Sequence, residues 1–148
     1  MLSQQEMSDR FEIEDLLKAY CHAIDRRDWD KLHDIFTDNA VIDYTQAGGE
    51  KGNLEFIKPW LDKALKNFSS FQHMISTTEL AINGDDATAR SILFNPMVID
   101  ENGTARVMFV GMWYVDKLIR TEAGWRISER REEASYFHNF PRDFTPSA

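Results

Sequence analysis

The chain has 148 residues, 43% of them apolar and 28% charged, with a net charge of −8. That length suits one domain spanning 1–148 with a core of its own, and the acidic balance argues against nucleic acid as a partner. No apolar run reaches the roughly 18 residues that span a bilayer and no basic amphipathic stretch suggests a membrane surface. The lone cysteine, Cys21, cannot form an internal disulfide, which predicts a cytoplasmic location.

Ser3 followed three residues on by Glu6 is the pattern of a capping box. Behind it, Ile13, Leu16, Leu17, Tyr20 and Ile24 fall on one stripe at about 100° per residue, which predicts an amphipathic helix ending near Asp25. A second helix is predicted after Asp28, with Trp29, Leu32, Ile35 and Phe36 inward. Ala40 to Tyr44 reads as a short strand, and Gly48-Gly49 as a turn. Asn53 can cap a third helix to about Asn67, burying Phe56, Ile57, Trp60, Leu61 and Leu65, with Pro59 inside it.

After Ser69 the pattern changes to strands over 71–82, 87–99, 104–118 and 125–137. The breaks at Asn83-Gly84-Asp85, Asp100 to Gly103 and Thr121 to Gly124 carry hairpin chemistry, which implies an antiparallel meander. At about 3.3 Å per residue these strands are too long to stay flat on a small domain, so a curved sheet is expected. Around Trp113 both faces are apolar: Val107, Phe109, Gly111, Trp113 and Val115 alternate with Met108, Val110, Met112 and Tyr114. One face suits the helices; the other predicts a homo-oligomer, dimer or trimer, through the sheet. The fold class is therefore α+β, with three N-terminal helices packed on a strongly curved antiparallel sheet that encloses an apolar pocket.

Some segments carry a family resemblance. Asp25-Arg-Arg-Asp-Trp-Asp-Lys-Leu, Phe36 to Tyr44, Phe71-Gln-His73, Gly84-Asp-Asp-Ala-Thr-Ala and Gly124-Trp-Arg-Ile-Ser-Glu-Arg130 resemble the landmarks of the SnoaL-like branch of the nuclear transport factor 2-like superfamily. Within it the chain is similar to scytalone dehydratase and hexachlorocyclohexane dehydrochlorinase. The resemblance implies the cone-shaped fold of that superfamily. It also implies a site in which Asp25 at the end of the first helix pairs with His73 on the first long strand. Tyr44 matches a tyrosine of the dehydratase. Tyr20 stands where the dehydrochlorinase has a lysine, and Arg130 matches its last-strand arginine. Two positions depart: Ile24 replaces a tyrosine of the dehydratase, and Arg90 to Met97 contains no second histidine.

A neutral imidazole is a competent base near pH 7, and a carboxylate on its other nitrogen fixes the tautomer and stabilises the imidazolium. In an apolar pocket such a pair can take a proton from carbon, and loss of a leaving group from the adjacent carbon completes an elimination. The expected catalytic residues are His73, Asp25 and Tyr44; the expected substrate contacts are Tyr20, Arg130 and Trp113. The expected partner is a small hydrophobic molecule, and this chemistry requires no metal and no organic cofactor. Spacing alone also allows bland roles, His73 as a hydrogen-bonded core residue and Asp25 as a cap. An isomerase or epoxide-hydrolase-like enzyme would instead use Asp25 or Asp43 directly as base, and a binding protein would use neither. His22 and His33 are expected to face solvent, and Glu129 to Glu133 to form a charge ladder on a solvated or interface surface. The tail from Phe137 to Phe144 is expected to close a pocket mouth or pack on a neighbour.

Overall fold

The computed structural model describes residues 1–142. Helix α1 runs Gln4–Arg26 and opens with the capping box: the Glu6 backbone N–H donates to Ser3 Oγ at 3.2 Å, and the Ser3 N–H donates to Glu6 Oε2 at 2.7 Å. It ends at Arg27, which takes a left-handed conformation at φ 58° and donates its N–H to the carbonyls of the last turn.

The predicted second helix is only a 3₁₀ turn over Asp30–Asp34. Its apolar stripe is real, with Leu32, Ile35 and Phe36 buried. Phe36, however, starts strand β1 (Phe36–Asp43), and the Ile127 N–H bonds the Ile35 carbonyl at 2.8 Å. Sheet pairing therefore claims the residues that would have made another helical turn. Three predicted helices become two α-helices and a 3₁₀ turn.

After Tyr44 the chain turns through Gly48 (φ 81°) into a two-residue strand β2 (Lys51–Gly52). Helix α2 (Leu54–Leu65) is capped by Asn53, whose Oδ1 accepts the Phe56 N–H at 3.0 Å. Leu54, Ile57, Leu61 and Leu65 are buried. Pro59 deprives the Glu55 carbonyl of its helical donor, and Glu55 lies on the solvent side, where water can replace it. Phe56, expected inward, is 51% exposed and covers Gly52 instead of entering the core.

The remaining strands are β3 (Ser70–Phe71), β4 (Met74–Asn83), β5 (Asp86–Glu101), β6 (Thr104–Thr121) and β7 (Gly124–His138). The sheet order is β2-β1-β7-β6-β5-β3, with β4 also on β5. The meander β4 to β7 is antiparallel as predicted, but β1 pairs with β7 in parallel, so the sheet is mixed. The predicted continuous strand at 71–82 is broken at Gln72-His73 into β3 and β4. Register shifts at Ser76/Glu79, Gly111/Met112 and Lys117/Leu118 bend the long strands. The sheet's inner face packs on the two helices in one core. Among the described residues, no helix is long and apolar enough to cross a membrane.

Candidate functional site

Between α1, α2 and the curved sheet lies a cavity of about 350 Å³. Helix α1 contributes Tyr20 and Ile24; α2 contributes Trp60, Leu61 and Leu65. The sheet contributes Leu93, Asn95 and Met97 from β5, then Val110, Met112 and Tyr114 from β6. The wall is mainly apolar, with a few polar groups at fixed places, which is the usual make-up of a small-molecule site.

His73 reaches this cavity from the break between β3 and β4. That break frees its backbone N–H from the ladder, and both carboxylate oxygens of Asp25 accept it at 3.1 Å. The ring Nδ1 meets Asp25 Oδ1 at 2.7 Å. Asp25 sits in the last turn of α1, where the helix dipole disfavours a carboxylate, and these donors offset that disadvantage. Only 8% of the His73 side chain is exposed, so the ring is held from both sides. With Nδ1–H given to Asp25, the neutral ring presents a bare Nε2. There the Asn95 amide lies 3.2 Å away, positioned to donate. Asn95 Oδ1 is buried without a partner among the described residues.

Tyr20 and Tyr44 meet on the same wall, hydroxyl to hydroxyl at 2.5 Å. Burial pushes the Tyr20 phenol up to about 12, partly countered by the nearby Arg130 guanidinium. Burial likewise drives Tyr44 upward, and the neighbouring Tyr20 adds to it. Both are therefore neutral hydrogen-bond donors at pH 7. Asp43 faces the other way, accepting from Thr45 Oγ1 at 2.6 Å and pairing with Lys51 at 3.3 Å.

A SnoaL-like domain model matches residues 5–131 of this chain. The chain belongs to the SnoaL-like family. An uncharacterized protein of Mycobacterium tuberculosis, Rv2910c, is 46% identical over 132 residues, 89% of each chain. A scytalone dehydratase-like protein from Novosphingobium aromaticivorans superposes with a TM-score of 0.82 at 14% identity, covering 95% of this chain and 93% of that one. A hexachlorocyclohexane dehydrochlorinase, LinA-type3 from Novosphingobium barchaimii, gives a TM-score of 0.78 at 16% identity, covering 92% of each chain. At such identities these two structures establish the SnoaL-like fold and nothing finer.

Two predicted substrate contacts of this SnoaL-like chain are corrected. Arg130 is fully buried behind the cavity, where Nε and Nη2 both donate to Asp116 at 2.7 Å. Its guanidinium lies 4.1 Å from the Tyr20 ring centre and 4.0 Å from that of Tyr114. Its role is to back the tyrosines, since two bonds and two rings leave it no access to a ligand. Trp113 points away from the cavity, on the outer face of the sheet, under the Arg90 guanidinium at 4.7 Å. Strand alternation requires this once Met112 and Tyr114 face inward.

Two polar residues of the cavity wall went unpredicted. Asn95 shares parity with Leu93 and Met97, so a polar side chain on an apolar inward face was its available signal. Glu132 lies in what was expected to be a charge ladder. The strand splits that run: Glu129, Arg131 and Glu133 face outward, where Lys117 and Arg90 pair with Glu129 and Glu133, while Arg130 and Glu132 turn inward. Burial pushes the Glu132 carboxyl up to about 8, against the pull of Arg130 and with help from the Asp43 charge.

At the tail, Phe137 and Phe140 line the cavity and meet edge to face, 5.3 Å apart. These two rings border the cavity; positions 143–144 of the tail considered in the sequence lie outside the described residues. No group of three His, Cys, Asp or Glu side chains is placed to hold a metal ion among the described residues.

Proposed function

We propose that this SnoaL-like chain is a cofactor-independent lyase, a dehydratase or dehydrohalogenase, acting on a small hydrophobic molecule in the cavity. One observation carries the reading: Asp25 holds His73 by ring and backbone together and turns its other ring nitrogen toward an apolar cavity. In the elimination, His73 Nε2 takes a proton from a substrate carbon. Asp25 stabilises the resulting imidazolium without itself becoming protonated. The electron pair of the broken C–H bond forms a carbon–carbon double bond, and the leaving group departs from the adjacent carbon.

For this step the substrate must displace the Asn95 amide from Nε2, a contact of 3.2 Å at the long end of the usual range. The apolar wall withholds water from the base and strengthens the Asp25–His73 interaction. Of the hydrogen-bonded pair Tyr20 and Tyr44, one hydroxyl donates to the other, and the remaining O–H can hydrogen-bond an oxygen or halogen on which negative charge grows.

The test is turnover in a panel of small cyclic alcohols, hydroxyketones and halides. On a converted substrate, His73→Ala is expected to lower kcat by about 10²–10⁴, the span typical of a lost general base. Asp25→Asn is expected to act in the same direction through the tautomer. Full activity of His73→Ala would remove the base assignment. A stable wild-type complex without conversion of any panel member would favour a binding protein.

A further inference from the structure

Glu132 is a carboxyl group in the cavity wall with a buried oxygen that meets no hydrogen-bond partner among the described residues. It lines the wall from β7, opposite Tyr114 on β6. Its Oε2 is enclosed and has no hydrogen-bond partner among the described residues. Buried carboxyl groups left this way are rare, because leaving them unpaired costs free energy. When one faces a cavity, a bound molecule is the natural source of the missing partner.

The surroundings decide which form of Glu132 the cavity holds. From its own strand comes Arg130, whose Nε and Nη2 donate to Asp116 while Nη1 meets no partner among the described residues, and whose charge pulls Glu132 toward its ionised form. From α1 comes the phenol of Tyr20, from β6 that of Tyr114, and from the end of β1 that of Tyr44, all three uncharged at pH 7. Asp43 on β1 adds a negative charge from outside the cavity. Arg130 favours an ionised Glu132, and burial together with the Asp43 charge outweighs it. Burial accordingly moves its ionisation to about 8, so at pH 7 most molecules carry the proton.

The donors thus gather on one side of the cavity. Glu132 and the Tyr20–Tyr44 pair sit around β7 and the end of β1, and His73 sits beyond β5, with β5 and β6 between β7 and the His73 segment. A wall rich in O–H groups and poor in acceptors is complementary to an oxygen that accepts.

We propose that Glu132 is a second working group of this pocket, a carboxylic acid that donates a hydrogen bond to an oxygen of the bound molecule and, during turnover, a proton to the departing oxygen. The turnover part rests on the lyase reading and narrows it to dehydration. A halide leaves as an anion without help, but hydroxide leaves an apolar cavity only as water. The balanced step is then H–C–C–OH going to C=C plus water. His73 gains the proton of the C–H bond, and Glu132 gives its proton to the hydroxyl oxygen as the C–O bond breaks. The imidazolium and the Glu132 carboxylate return to their starting forms when the proton passes back through solvent.

The binding part is tested without turnover. The full-length protein is titrated with 1-indanone and with indane, which share a shape and differ by one carbonyl oxygen. The wild type is expected to prefer the ketone by about tenfold at pH 6.5, the worth of one hydrogen bond in such a site. The preference is expected to decline as pH rises from about 7 to about 9 and Glu132 ionises. It should become pH-independent in Glu132→Gln, which keeps a donor, and vanish in Glu132→Leu. Infrared spectra of the wild type at pH 6.5 should show a protonated carboxyl band that Glu132→Gln removes. An unchanged ketone preference in Glu132→Leu, or no such band in the wild type, would overturn the proposal without relying on any variant's activity. A ketone preference that follows Glu132 in a protein with no turnover would overturn the lyase reading and keep the donor. Turnover that depends on His73 but not on Glu132 would do the reverse.

Discussion

His73 and Asp25 show how little of a site's geometry lives in its residue types. By helical spacing Asp25 falls about 100° off the buried stripe of α1, and it reaches the cavity side only because the helix ends there. The break at Gln72-His73 then supplies a free backbone N–H for the carboxylate to hold. Family resemblance made this pair legible in the sequence; periodicity alone left it open. Tyr20 and Tyr44 were legible in the same way, while their mutual bond was not. Removing either hydroxyl leaves the other without its partner in a buried wall. Tyr20→Phe and Tyr44→Phe are each expected to lower unfolding free energy by about 1 kcal/mol, and the double variant by less than the sum. Urea unfolding of the four proteins measures this, and strict additivity would mean that the 2.5 Å contact contributes nothing.

Among the elements, α1 was read well at both ends and on its apolar stripe, and α2 was read to within two residues. The segment after Asp28 was misread because its apolar spacing suits a helix, whereas the parallel pairing of β1 with β7 is a long-range bond that no local window contains. Asp9 went unremarked in the sequence and proves to tie α1 to the sheet. Both its oxygens accept from Arg120 at 2.7 Å, and Oδ1 also accepts from the Trp125 ring N–H at 3.1 Å. The Arg120 hydrogen bonds hold the Asp9 carboxyl well below the usual carboxylate range, against the cost of burial. A depressed folded-state value stabilises the fold at every pH above the unfolded value, near 4, and this contribution drains away as pH falls further. Asp9→Asn is therefore expected to lower Tm at pH 7 by roughly 4 °C or more, with the gap from wild type narrowing below about pH 4. A gap constant with pH would show that the ionised form carries no special weight.

For the whole molecule, the outer face of the sheet raises the question of its partner. Ile92 is 41% and Val107 42% exposed there, beside the stacked pair Phe94 and Phe109 and the half-buried Trp113. We infer that this face joins copies of the chain, since exposed apolar patches of this kind mark interfaces. The wild type is expected to sediment as a dimer or trimer, and Ile92→Glu with Val107→Glu to sediment as a monomer that keeps its fold. A monomeric wild type at micromolar concentration would remove the inference.

Local patterning, by itself, determined the α+β class, the capped first helix, the four long strands with their glycine turns, and the curvature that strands of such length demand. These are short-range consequences of side-chain period and backbone preference, and they survive in any context. Tertiary structure alone decided which of the alternating faces looks inward, and hence that Met112 and Tyr114 line the cavity while Trp113 does not. It also turned an expected charge ladder into a buried Arg130 and an enclosed Glu132, and it set Asn95 against His73. Such choices depend on register between strands far apart in the chain, where a shift of one residue would exchange the two faces.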